Sequence, residues 1–337
     1  MTHTRARTFR AATMMAAGAI LLGGAAACGS SGGSGGASTI RFGVVSPNAD
    51  LTPLYVAADQ GFFKKAGLNV EITNFTGGGA SSSAALASGA VDVASGGPGS
   101  FLGSIAKKAI SGKIFAQLVD QSYDVVATKG ITDMAALKGR SIGVSGINSN
   151  DHMYLTAVLA HYGISPHDVT FLNTGTPSNR YAALSSGKIQ ATAEPDSQRT
   201  ASEGVGKVLL EATKSPVRAP GQVFYAEGDY LKAHAKTLKT FMSVMYKTVA
   251  WVKDPKNQKA AVASCAKGSG TAAKVCAEVI GFSGDPSKAG PYTWSSTFAV
   301  NPAGMRQSIN AAATLIPEAK SLTVGNVVDS SITGTKP

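Results

Sequence analysis

Hydrophobic and polar positions along this chain follow one order of elements and then follow it again about 100 residues later. "IRFGVVSPN" at 40–48 is an apolar run ending in a polar loop, and "RSIGVSGIN" at 140–148 is its counterpart, with Gly43 and Gly143 in register. "AGLNVEITNFTGGG" at 66–79 pairs with "YGISPHDVTFLNTG" at 162–175. Each has a glycine that ends a helix, then the alternation of a strand, then a Gly/Thr loop. "AALASGAVDVASGGPG" at 84–99 returns as "AALSSGKIQATAEPDS" at 182–197, a helix end, turn, short strand and loop. The stretches "LYVAADQGFFKKAG" and "YLTAVLAHYG" fill the intervals with helical patterning.

Each half therefore reads strand, helix, strand, helix, strand, which implies a parallel sheet with crossover helices. A period this long is not that of a solenoid. It predicts two similar α/β lobes. From about residue 226 the pattern turns helical: Leu238, Phe241, Met242, Met245, Val249 and Val252 form one face of an amphipathic helix that ends before Pro255. Helices without strands of their own must pack on an existing sheet.

The first 27 residues stand outside this pattern. Arg5, Arg7 and Arg10 precede the Ala-rich "AATMMAAGAILLGGAAA", a basic region and a short apolar core of a general-secretion signal. "AAAC" at 25–28 resembles a bacterial lipobox, with Ala25 where leucine is usual, so Cys28 is expected to carry lipid. "GSSGGSGGAS" then forms a flexible tether. The formal charge is +11, and +8 once the three arginines of the signal are removed. The basic residues are scattered and form no run with aromatics, against nucleic acid and in favour of an acidic envelope or an anionic ligand. Cys265 and Cys276 remain, and an exported pair reads as a disulfide. One straight helix would hold them about 16 Å apart, beyond disulfide reach. "KGSGT", with Gly268 and Gly270, is therefore expected to break the helix into a stapled hairpin.

Enzyme chemistry finds little support. His3, His152, His161, His167 and His234 show no metal-binding spacing. "GSSGG" fits the G-x-S-x-G pattern only within the tether. "GGPGSFLG" has the wrong glycine spacing for a dinucleotide fingerprint. No cofactor and no metal are expected.

The run "LYVAADQGFFKKAGLNVEITNFTGGG" followed by "ALASGAVDVASGG" resembles the substrate-binding proteins of ABC importers, in the SsuA/THI5-like group that takes nitrate, sulfonates, taurine and thiamine precursors. Ala57, Gly61, Phe63, Gly67, Leu68, Val70, Leu86, Ser88, Gly89, Val91 and Asp92 stand where its pattern wants them. Asp133, Leu137, Lys138, Gly139 and Gly143 resemble its second-lobe entry. The similarity covers roughly 39–255 and departs in the second lobe, where the family's S-G-x-V-D-A stands as Ser186, Gly187, Lys188, Ile189, Gln190 and Ala191.

The resemblance implies an α/β protein of two Rossmann-like lobes on a two-crossing hinge, the periplasmic-binding-protein type II arrangement, with a helical C-terminal extension. Lobe 1 would be 39–126 plus 224–337 and lobe 2 129–221, with crossings near "VATKG" and "GQVFYA". The implied role is a lipid-anchored, monomeric solute receptor on the extracytoplasmic face of the cell membrane, handing its solute to a permease and its ATPase. A surface receptor or adhesin is the alternative. A thiamine-pyrimidine-synthase-like enzyme is the remoter one, since this chain is exported and lacks that enzyme's Cys-rich motif.

Ligands of open α/β sheets bind beyond the carboxyl ends of the strands. The loops there supply Ser46, Asn48 and Tyr55, then Gly78, Gly79 and Ala80 ahead of Ser81 to Ser83, then Gly97 and Ser100. The second lobe supplies Asn148, Ser149, Asn150 and His152, then Thr176, then Glu194. A glycine run before a helix offers backbone N–H groups to an anion, although capping uses the same residue types. Glu194 would accept from a donor on the ligand or pair with Arg199. Asp92 is expected to brace its turn.

Overall fold

The computed structural model describes residues 37–334 apart from 46, 76–77, 122, 196–203, 285–293 and 296. The signal, Cys28, Ser46 and Arg199 lie outside the described residues, and so does most of the tether. Residues 37–337 form one compact unit.

Among the described residues, ten strands make two five-stranded sheets. The first holds β1 (Ser38–Val45), β2 (Leu68–Phe75), β3 (Val93–Gly96), β4 (Lys113–Asp120) and β10 (Pro220–Ala226), in the order β2-β1-β3-β10-β4. The second holds β5 (Tyr123–Ala127), β6 (Ser141–Val144), β7 (Thr170–Asn173), β8 (Ala191–Pro195) and β9 (Lys207–Leu210), in the order β7-β6-β8-β5-β9. In each, three parallel strands are followed by an antiparallel one, β10 beside β3 and β5 beside β8. The two sheets are the repeat, built twice.

The lobe boundaries differ from the expected ones. β5 pairs with β8 and β9, so 123–126 belong to lobe 2, and the first crossing falls between Asp120, where β4 ends, and Tyr123, where β5 begins. The return crossing ends at Pro220, because "GQVFYA" is already strand β10. The two crossings touch, the Gln121 N–H donating to the Ala219 carbonyl at 2.8 Å.

Gly43 and Gly143 occupy the same place in β1 and β6 for the same reason. A Cβ there would meet Phe75 at 2.8 Å and Ile189 at 2.5 Å.

Helices α1 (Thr52–Asp59), α2 (Phe62–Lys65), α3 (Gly78–Ala87) and α4 (Gly99–Ala106) serve the first sheet. α5 (Asn150–His161) and α6 (Pro177–Ser185) serve the second. The tail adds α7 (Gly228–Ala233), α8 (Ala235–Lys253), α9 (Gln258–Ser269), α10 (Ala273–Gly284), α11 (Pro302–Leu315) and α12 (Val324–Val327). All six apolar positions read from the spacing of α8 are buried. Its Phe241 stacks on Phe63 at 5.1 Å and on Phe42 at 5.7 Å, so the tail closes one face of sheet 1. α3, α4 and α11 close the other face, where Phe101 stacks on Tyr225 at 4.5 Å.

Cys265 and Cys276 form a disulfide between α9 and α10, Cα to Cα 6.0 Å. Gly270 ends α9 in the left-handed region, φ +68°. Gly268 does not break the helix. It lies within α9, and a Cβ there would strike the Tyr55 ring at 2.4 Å.

Candidate functional site

The β6–α5 turn is the most densely bonded part of the cleft elements. Ser149 caps α5, accepting from the His152 N–H, and its hydroxyl donates to Asp151. Asp151 also accepts from the Ser145 N–H and hydroxyl, each at 2.6 Å. Asn148 sits at φ +64°, a left-handed conformation tolerated by asparagine. Its N–H donates to His152 Nδ1 at 2.9 Å. The neutral imidazole thus carries its proton on Nε2, which is buried and has no partner. The ring lies edge-on to Phe171, centroids 4.2 Å apart. Burial pushes the His152 pKa below its ordinary value, opposed by Asp151.

Glu194, expected to face a ligand or Arg199, is held by another residue. Arg180 on α6 donates through Nε at 2.6 Å and through a terminal nitrogen at 2.9 Å to its two oxygens. Arg180 also donates to the Gly175 carbonyl at 2.6 Å and lies 3.9 Å from Asp151. Both members of the pair are about 95% or more buried. Burial works against the Arg180 charge, but the Glu194 carboxylate keeps the guanidinium pKa above its ordinary value. Arg180 was legible: with Ala183 and Leu184 it forms an i, i+3, i+4 set on the buried side of α6. A cation at an apolar-face position signals a buried partner. Thr176 caps the same helix, accepting from the Asn179 N–H.

In lobe 1 the glycine run opens helix α3 itself, so Ser81 to Ser83 belong to the helix and not to a loop. The Ser83 hydroxyl donates to the Ser100 carbonyl at 3.3 Å. Asn48 caps a short turn by accepting from the Asp50 N–H at 2.9 Å. Asp92 braces its turn, taking the Arg41 N–H at 2.8 Å and the guanidinium beside it.

Gly97 meets the other lobe. A Cβ there would lie 2.2 Å from Asn150 Cγ, and the Gly99 N–H points to Asn150 Oδ1 at 3.4 Å.

Tyr55 packs against α9, and its hydroxyl has no partner. Burial raises its pKa above its ordinary value. Two further orphaned atoms, Ser95 Oγ and Gln222 Oε1, escaped the sequence reading. Ser95 is opposite Phe224 on the β3–β10 ladder, and Gln222 lies two residues further along β10, toward Gly97. No motif marks them, because an orphaned group is defined only by its surroundings. Of the six orphaned buried side-chain atoms among the described residues, five belong to the cleft elements or crossings: Tyr55, Ser95, Gln121, His152 and Gln222.

Comparison with known proteins agrees with this architecture. YtlA of Bacillus subtilis (strain 168), a binding protein by name, is 28% identical over 223 residues, 64% of this chain and 66% of its own. The taurine-binding periplasmic protein of Escherichia coli (strain K12) is 31% identical over 212 residues, 59% of this chain and 65% of its own. The chain thus spans just under two thirds of the length of either relative. The structure of the periplasmic aliphatic sulphonate binding protein SsuA from Escherichia coli superposes with a TM-score of 0.68 at 20% identity, over 87% of this chain and 92% of that one. The family described as NMT1/THI5 like matches residues 48–258, well over half of the sequence. With two α/β sheets in the periplasmic-binding-protein arrangement, this chain belongs to the NMT1/THI5-like family.

Proposed function

We propose that the protein is the extracytoplasmic solute-binding component of an ABC importer, anchored through lipid on Cys28, without catalysis of its own. The observation that carries this is the set of orphaned polar atoms at the cleft elements of both lobes. Buried polar groups are almost always hydrogen-bonded, and each left unmade costs about 1–3 kcal/mol. A ligand that bonds Tyr55, Ser95, Gln222 and His152 would remove that cost and hold the lobes closed around it.

The same atoms bear on the solute. Tyr55 Oη, Ser95 Oγ and His152 Nε2 can donate, and Gln222 Oε1 only accepts. Such a set suits an acceptor-rich head group joined to one donor group, such as an ammonium. An aminosulfonate such as taurine has that form, and the names of the taurine- and sulphonate-binding relatives point the same way. Arg180 is committed to Glu194, so the anionic head would be held by neutral donors and backbone N–H groups.

The test is a thermal-shift screen of the mature chain against taurine, alkanesulfonates, nitrate and pyrimidines. A solute at one hundred times its Kd adds about 2.7 kcal/mol of stability. A hit that Ser95→Ala or Gln222→Leu abolishes supports the reading. Silence across the panel would sink it and favour a surface receptor or adhesin.

A further inference from the structure

Helix α5 belongs to lobe 2 by chain order, but part of it is buried in lobe 1. Met153 is 3% exposed within the apolar cluster that contains Phe101, Met305 and Ala311 of lobe 1. Its sulfur would stand 3.0 Å from a Cβ on Gly99. One residue-turn earlier, Asn150 occupies the space over Gly97. Helix α11 of the tail packs along α5 and also contacts α4 and β10 of lobe 1. It grips the return crossing as well. The Gln307 side chain accepts from the Arg218 N–H at 2.8 Å and donates to the Pro216 carbonyl at 3.4 Å. A Cβ on Gly304 would lie 2.1 Å from the Arg218 carbonyl oxygen. The seam is close-packed, with a void of about 10 Å³ lined by Gln121, Asn150, Met153 and Gln307.

We propose that α11 and the first turns of α5 form a third connection between the lobes, beyond the two chain crossings. Met153 is its knob, and the seat of Asn150 on Gly97 and Gly99 is its stop. Two crossings alone are a soft hinge. Swinging lobe 2 away must also withdraw Met153 from the lobe 1 core and expose the apolar face of α11. The joint therefore holds the lobes together before any solute arrives, and opening is the minor state through which solute enters. Apparent affinity scales with the closed fraction, so these residues tune binding without touching solute. This goes beyond the solute-binding reading and rests on contacts present in the protein alone.

Small-angle X-ray scattering of the mature chain (Cys28→Ser, no solute added) tests it. The expected radius of gyration is the closed value, about 19–20 Å for a compact chain of this length. Gly97→Ala places a methyl group on Asn150, and the resulting hinge opening should enlarge the radius. Adding Asn150→Gly to that variant makes room and should restore the closed value. Met153→Gln should open the lobes, while Met153→Leu, close in volume, should not. An open radius for the parent chain would overturn the proposal. So would Gly97→Ala or Met153→Gln scattering as the parent does. Because no solute enters the measurement, either failure leaves the solute-binding reading standing.

Discussion

The two lobes share one topology and answer the same positions with different chemistry. The offset that aligns "AALASG" with "AALSSG" places Ser82 of α3 opposite Arg180 of α6, and Gly96 of β3 opposite Glu194 of β8. All four are buried. Lobe 1 fills the space with a hydroxyl and a hydrogen atom, whereas lobe 2 fills it with a bidentate ion pair. The strand order is unchanged by this. What the fold requires of the repeat is therefore its apolar register and its helix-ending glycines, and the polar positions between them are free to diverge. Lobe 2 thus carries a bidentate ion pair that lobe 1 lacks, while unmade hydrogen bonds remain at Tyr55, Ser95 and Gln222 in lobe 1 and at His152 in lobe 2.

The sharpest way to break this comparison is to remove one charge. Glu194→Ala strands the Arg180 guanidinium in the interior and should cost about 3–5 kcal/mol, read as a fall in the urea midpoint at constant m-value. Ser82→Ala, at the lobe 1 position that matches Arg180, should cost only about 1 kcal/mol. Equal losses would show that the ion pair carries no more of the stability than the hydroxyl does. The double variant Arg180→Met/Glu194→Leu should recover most of the loss, since a buried pair replaced as a unit is close to neutral.

A second asymmetry is covalent. The disulfide lies in the tail helices that cover sheet 1. Cys265→Ser should lower stability by roughly 2–3 kcal/mol. Hydrogen exchange should rise in α9 and α10 and leave β6 to β8 protected. Equal exposure of both sheets would mean that the lobes unfold as one unit.

Ser95→Ala should change apo stability by less than about 1 kcal/mol, or raise it, because it deletes a hydroxyl that bonds nothing. A larger loss would show that Ser95 already has a structural partner.

The smallest effect concerns pH. His152 is held neutral in the fold, its pKa below the ordinary value through burial. In the unfolded chain it titrates near pH 6.5. Below that pH the unfolded state binds the additional proton, so stability falls as pH drops from about 6.5 toward the folded pKa. It is fully retained above that window. His152→Gln should flatten this part of the profile relative to the parent protein, and an unchanged slope would assign it to other groups.

Much of the fold was written in short-range signals. The paired strands, the glycines at 67, 89, 163 and 187 that end helices at positive φ, and the buried face of α8 each follow from local pattern. The first crossing was not legible. β4 and β5 are both apolar and only two residues apart, and which sheet each joins is settled by pairing with β10 and β8, about 70–110 residues away. Candidate site residues divide in the same way. Ser149, Thr176 and Asn48 prove to be caps, a role their residue types always permitted. Glu194 falls at the repeat's counterpart of Gly96, and the cation on the apolar side of α6 signalled a buried partner, but that the two meet depended on how α6 packs.

The sequence by itself determined the two α/β lobes, their order of elements and the tail helices, because periodicity and glycine placement act over a few residues. Only the tertiary structure decided where the chain crosses between lobes, which polar atoms are left without partners, and that Met153 and Asn150 of one lobe are seated in the other. Those outcomes depend on contacts between residues far apart in the chain, and no local pattern encodes a contact until both of its surfaces exist.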